Sequence, residues 1–333
     1  MTRVSVVVIG RNEGPRLERC LASVQAIQGI VPHDVIYIDS GSTDGSPELA
    51  DRMGAAVLPL GSGRMTAARA RNLGWRTASG DAILFLDGDT ILDPHFPQRA
   101  IQALYAEPNR AAVTGHLREI NPCQSIYVRM LDLDWIHPPG EILMFGGIAL
   151  IRREALQAVD GYNEQLIAAE DSEMCHRMRA LGWRFEHIDA PMCTHDLAIA
   201  RFSQYWRRSV RTGYAYAQVS HLFRSMPGRF WTAEARRNRI RGLFWMLSPL
   251  LAATAAIYWL SLWPVALWLL MLLALALRTA LKQRSKGAKA STMLLYGIHS
   301  HLQQIPILLG QIGFLLDRRR NHPRPLIEYK DVK

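Results

Sequence analysis

The first residues that could do chemistry are Asp87-Gly88-Asp89, two carboxylates closing the apolar run Ala82–Leu86. A pair of this kind suits a hard divalent cation such as Mg²⁺ or Mn²⁺, which one or two carboxylates hold while substrate phosphates supply further oxygens. The same tripeptide also makes an ordinary turn. A second acidic point is Asp39, which ends Val35–Asp39, with Asn12 and Glu13 following the run Val4–Ile9. These three could bind the edge of a base or a ribose. Ser42, Thr43 and Asp44 beside them also read as helix caps. Arg71 could meet a phosphate or a base, or lie on a solvated helix face. Glu170-Asp171 precedes a helical pattern, where carboxylates favour the helix N-terminus; in a cleft, one of them could act as general base on an acceptor hydroxyl. Gly146-Gly147 either lets a ligand approach the backbone or marks a tight turn.

The elements that must position these groups are legible as alternating patterns. Val4–Ile9 is a buried-strand run, and Leu17, Cys20, Leu21 and Val24 recur at helical spacing. Val35–Asp39 repeats the strand pattern, a helix runs to about Met53, and Ala55–Leu58 reads as a third strand. A helix is predicted at Thr66–Ala78, strands at Ala82–Leu86, Ile148–Ile151 and Arg184–Ile188, and a helix from about Ala169 to Leu181. Such alternation predicts an α/β fold with a parallel sheet covered on both faces. Ligands of open α/β sheets sit beyond the carboxyl ends of the strands, so Asp39 and Asp87-Gly88-Asp89 should face one cleft.

From Leu243 to Leu277 the chain carries no charge over 35 residues. One span needs roughly 20 residues, so this length predicts two transmembrane helices over 243–279 joined near Trp259–Pro264. Arg236–Arg241 before and Lys282–Lys289 after put both flanks in the cytoplasm by the positive-inside tendency. Met293–Leu316 is apolar but holds His299, His301, Gln303, Gln304 and Gln311, and reads as an interfacial or re-entrant helix within 280–333. The formal charge of +10 is concentrated around these segments, a membrane-flanking pattern rather than a nucleic-acid face. Cys20, Cys123, Cys175 and Cys193 form no CxxC spacing and read as reduced core thiols. The start, Met1-Thr2-Arg3, lacks the apolar core of a signal peptide, so the N-terminal region is expected in the cytoplasm. Neither GxGxxG, GxxxxGK[ST] nor GxSxG occurs as a usable motif, which removes dehydrogenase, P-loop kinase and α/β-hydrolase readings.

Taken in order, Val4–Glu13, Tyr37–Gly45, Ala68–Gly74, Phe85–Thr90, Gly146–Leu156 and Glu170–Trp183 resemble the successive signatures of family 2 glycosyltransferases. The resemblance implies a GT-A (Rossmann-like, mostly parallel) catalytic domain over 1–220, a basic linker over 221–242 and the C-terminal membrane helices. It implies an inverting, metal-dependent transfer of a sugar from a nucleotide-sugar donor. Asp39 would then recognise the base, Asp89 with Asp87 nearby would bind the metal, Asp171 would be the catalytic base, and His195 would lie near metal and diphosphate. Ser40 stands where the family usually has a second Asp, which leaves the base open. Gln204-Tyr205-Trp206-Arg207-Arg208 replaces the QxxRW of processive members, implying a single-sugar transferase. The helices at Phe202–Ala217 would line the acceptor entrance, with Arg207 and Arg208 near the diphosphate or lipid phosphates. The membrane hairpin suggests a lipid or lipid-linked acceptor at the cytoplasmic membrane, and the oligomeric state stays open. A sugar-phosphate nucleotidyltransferase could use the same sheet, acidic residues and metal, whereas a membrane scaffold with a degenerate nucleotide site is the non-enzymatic alternative, against which the retention of Asp39, Asp89 and Asp171 together argues.

Overall fold

A computed structural model describes residues 2–225 and 229–320. It divides into two compact units, the first comprising the chain up to Asn121 together with Trp135–Leu197, the second Pro122–Asp134 and the chain from Ala198.

The chain begins with β1 (Val4–Gly10), α1 (Pro15–Gln25), β2 (Asp34–Asp39), α2 (Ser46–Arg52), β3 (Ala56–Pro59), α3 (Ala67–Thr77) and β4 (Ala82–Asp87). Val6, Val7 and Val8, together with Ile83, Leu84 and Phe85, are fully buried. That continuous burial is what a parallel sheet with helices on both faces requires. The strands run parallel in the order β3-β2-β1-β4. Their register sets Gly10 beside Asp39 and Ile9 beside Asp87, so both predicted carboxylates emerge at one edge.

Next come β5 (Thr90–Leu92), α4 (Phe96–Ala106), β6 (Arg110–Glu119), α5 (Ile126–Leu131), β7 (Gly140–Ile142), β8 (Ala149–Arg152), α6 (Arg153–Ala158), α7 (Glu170–Ala180) and β9 (Arg184–His195). Here the sheet turns mixed. β8 pairs antiparallel with β4 and β6, β6 runs parallel to β9, and β5 and β7 pair antiparallel with β9. β9 continues seven residues past the predicted end at Ile188, and this extension carries His195 to the site.

The second unit contains α5, α8 (Phe202–Leu222), α9 (Thr232–Tyr258), α10 (Trp263–Lys282), α11 (Ala290–Leu302) and α12 (Gln304–Arg319). α8 is a single helix and belongs here rather than with the sheet, and α9 begins inside the expected linker. α9 and α10 are long and apolar enough to cross a membrane. Their apolar side chains are largely uncovered, with Leu251 at 69% and Ile257 at 74% exposure. The third apolar stretch is two helices meeting at Gln303, each shorter than a full span. Within this unit Tyr205 and His299 share a 2.7 Å hydrogen bond, and the Tyr296 hydroxyl donates to Asp134. The expected C-terminal tail beyond Arg320 lies outside the described residues. All four cysteines are free, but Cys123 is exposed and is no core thiol.

Candidate active site

Arg71 organises the carboxylates. α3 starts at the cap Thr66, whose hydroxyl accepts the Arg69 N–H. Gly74 then lets the helix lie directly on β1, because a Cβ there would collide with Val7. Arg71 is thereby carried, almost wholly buried, to the carboxyl edge of the sheet. One terminal nitrogen meets Asp87 at 2.9 Å; the other meets Glu170 at 2.8 Å and Asp171 at 3.5 Å. Burial alone would favour losing the guanidinium proton, but Asp171, Asp87 and Glu170 outweigh it and hold the pKa well above the ordinary value. Groups separated by 16, 99 and 100 residues thus converge on one side chain.

Glu170 and Asp171 open α7, whose N-cap residue Ala169 is left-handed at φ 64°. Glu170 is buried, whereas the Asp171 side chain keeps 17% exposure. Gly147 borders the same guanidinium. A Cβ on Gly147 would collide with the Arg71 terminal nitrogen, while one on Gly146 would meet nothing within 4 Å. Gly147→Ala should therefore displace Arg71 and cost most of the activity. Gly146→Ala should leave stability within about 0.5 kcal/mol of the parent, as expected of a substitution that meets no neighbour. Thermal melts of the two variants check the contrast, and equal melting temperatures would show that Arg71 gives way freely.

Asp89 is buried and 3.3 Å from Nε2 of His195. The pairing of Thr90 with His195 in the β5–β9 ladder brings them together. Nδ1 of His195 is 2.8 Å from Glu119 at the end of β6, and Glu119 also accepts the Leu197 N–H. Burial by itself would strip the imidazole of its proton, but Asp89 and Glu119 prevail and its pKa is pushed up to about 10. Among the described residues no group of three or more His, Cys, Asp or Glu is gathered to hold a metal ion. The carboxylates of Asp87 and Asp89 are the donors that fit a hard cation sharing a diphosphate, with His195 beside them as partner to Asp89.

Asp39 is buried and accepts the N–H groups of Gly41 and Ser42 and the Tyr37 hydroxyl. Asn12 is occupied by the neighbouring loop, its N–H donating to the Ser42 hydroxyl and its Oδ1 accepting the Thr43 N–H. Glu13 pairs with Arg16 at 2.9 Å. Arg207 and Arg208 lie on α8 in the second unit. Sequence reasoning missed Glu119 and Trp135; the end of a buried run, Ala111–Thr114, was the available signal for the former. A cleft of about 520 Å³ is lined by Asp87, Gly146, Gly147, Ser172, His195 and Trp135, among others. That volume lies within the range of ligand pockets, roughly 300–1,000 Å³.

Solved structures share this architecture. A mannosyltransferase from Pyrobaculum calidifontis, in complex with GDP-Man and Mn²⁺, superposes with a TM-score of 0.66 at 24% identity, over 95% of this chain and 88% of that one. Staphylococcus aureus TarS 1-349 in complex with UDP-GlcNAc gives 0.51 at 16% identity, covering 96% and 92%. The fold is the GT-A fold of nucleotide-sugar glycosyltransferases. Residues 5–208 match the family described as Glycosyl transferase family 2, and the chain belongs to it. Similar proteins include the O-antigen chain rhamnosyltransferase RfbN of Salmonella typhimurium, 24% identical over 76% of this chain and 87% of that one. The poly-beta-1,6-N-acetyl-D-glucosamine synthase of Staphylococcus aureus is 27% identical over 63% of this chain, which spans 52% of that longer protein.

Proposed function

We propose that this glycosyltransferase moves one sugar, with inversion, from a nucleoside diphosphate donor to a hydroxyl of a lipid or lipid-linked acceptor at the cytoplasmic face of a membrane. The observation that carries the reading is the convergence of Asp87 and Asp171 on Arg71 beside one cleft. Asp171 takes the acceptor proton as the hydroxyl oxygen bonds to the anomeric carbon; the bond from that carbon to the diphosphate breaks, and the nucleoside diphosphate leaves. Glu170, deeper and bonded to Arg71, positions Asp171 rather than reacting. Asp39 holds the base, with Asn12 and Glu13 shaping its loop. Asp87 and Asp89 would hold Mg²⁺ or Mn²⁺, whose contribution is to neutralise the leaving diphosphate. The mannosyltransferase neighbour in complex with Mn²⁺ supports that assignment.

Two uncovered apolar helices with basic residues outside them support the membrane setting, since a hairpin with both ends cytoplasmic satisfies the positive-inside tendency. The decisive measurement is binding and slow hydrolysis of UDP-, GDP- and dTDP-sugars by the detergent-solubilised protein, with and without Mn²⁺. Asp89→Ala should weaken metal-dependent donor binding by at least roughly 10–100-fold, the cost of losing even a supporting residue at a metal site. Equal affinity with and without the metal would remove Asp89 from that role.

A further inference from the structure

A second guanidinium of α3 is used chiefly on main chain. Arg69 precedes Arg71 by two residues and so leaves the helix on nearly the opposite side. One of its terminal nitrogens donates to the Arg64 carbonyl at 2.7 Å; the other donates to the carbonyls of Leu60 at 3.3 Å and Ser62 at 3.1 Å. Three carbonyls of the loop between β3 and α3 are thereby gathered on one side chain. The loop has little stiffness of its own, because Gly61 and Gly63 both take positive φ values, 73° and 112°. Surface-loop carbonyls are ordinarily satisfied by water. Holding three of them on one cation fixes a shape rather than meeting a need for partners.

The position of the loop says what the shape is for. At one end, Leu60 donates its N–H to the Asp39 carbonyl, next to the pairing of Pro59 with Asp39 in the sheet. At the other end, Met65 reaches the Gly41 turn, where an added Cβ would lie 3.8 Å from the Met65 methyl. Gly41 is the residue whose N–H binds the Asp39 carboxylate. Both ends of the loop therefore border Asp39, and Met65 brings a thioether, a group that makes favourable contacts with aromatic rings.

We propose that Arg69 is a positioning residue for the donor: it pins loop 60–65 so that Met65 stands ready against the base held at Asp39. The clamp removes in advance the conformational freedom that the loop would otherwise lose on binding. This rests on the transferase reading above.

The test uses the full detergent-solubilised chain and measures binding of UDP, GDP, dTDP and inorganic pyrophosphate by calorimetry with Mg²⁺ present. Arg69→Met, which deletes the donors, should weaken the tightest nucleoside diphosphate about tenfold, equivalent to fixing roughly one extra backbone residue at the moment of binding. Pyrophosphate, which has no base, should bind as to the parent. Arg69→Lys keeps the charge without the fork and should fall between the two. Met65→Ala leaves the clamp intact and should cost about three- to tenfold for the nucleotide alone; it carries the decision if the Arg69 variants fold poorly. Hydrogen exchange of the 60–65 amides should quicken in Arg69→Met and slow again when the nucleotide is added. Parental nucleotide affinity in Arg69→Met and Met65→Ala, or an equal loss for nucleotide and pyrophosphate, would overturn the proposal. A parent that binds nucleotide no more weakly or tightly than its variants sinks the clamp alone; a parent that binds no nucleoside diphosphate sinks the transferase reading and the clamp with it.

Discussion

Asp171→Asn should lower sugar transfer by about 10²–10⁴-fold, the usual worth of a positioned general base, while donor binding stays close to that of the parent. The substitution keeps the side chain's shape and an oxygen able to accept from Arg71, so Arg71 retains Asp87 and Glu170 and the cluster holds together. What disappears is the capacity to take a proton. Transfer of labelled sugar from donor to a membrane lipid extract, measured beside donor affinity, reads the two quantities separately. Turnover at the parental rate would strip Asp171 of its role. A parallel fall in donor affinity would show that the residue holds the donor instead.

Removing Arg71 should be still more damaging, because it acts on stability and activity together. Arg71→Met keeps the unbranched stem of the side chain but removes the guanidinium, leaving Glu170 buried and Asp87 and Asp171 crowded beside it without a countercharge. Breaking a buried pair in this way costs about 3–5 kcal/mol. Arg71→Lys keeps the charge yet cannot bridge Asp87 on one side and the Glu170–Asp171 pair on the other, since an ammonium lacks the planar fork. The lysine variant should therefore fold better than the methionine variant and still transfer poorly. Thermal unfolding followed by tryptophan fluorescence, together with turnover, distinguishes these effects. Full activity in the lysine variant would mean that charge alone suffices and that the fork is irrelevant.

Much of the first half of the sheet was legible because its signal is local. Val4–Ile9, Val35–Asp39 and Ala82–Leu86 are predominantly apolar runs, and each forms a buried parallel strand ending where a carboxylate or polar loop begins. β6 was not legible: Gly115 and His116 interrupt its apolar pattern, and its pairing with β9 contains register shifts that no period of two conveys. Glu119 was lost with it. The sequence marks Arg71 as a cation that could meet a phosphate, but its embrace of Asp87, Glu170 and Asp171 depends on the docking of α3 and α7, which only the tertiary structure supplies. The two C-terminal helices that meet at Gln303 read as one stretch because their apolar residues continue across the break.

Ala169 carries a cost that the sequence could have avoided. An L-residue in the left-handed region is disfavoured by roughly 1–2 kcal/mol, and glycine escapes most of that penalty. A glycine at 169 would thus relax the backbone, but it would also free the step into α7 to sample many conformations. Alanine keeps few, and among them the turn seen here aims Glu170 and Asp171 together at Arg71. Precision at the base is obtained from a hinge too stiff to swing, so a chain with glycine there should gain in melting temperature while its transfer rate becomes slower and more scattered from one molecule to the next.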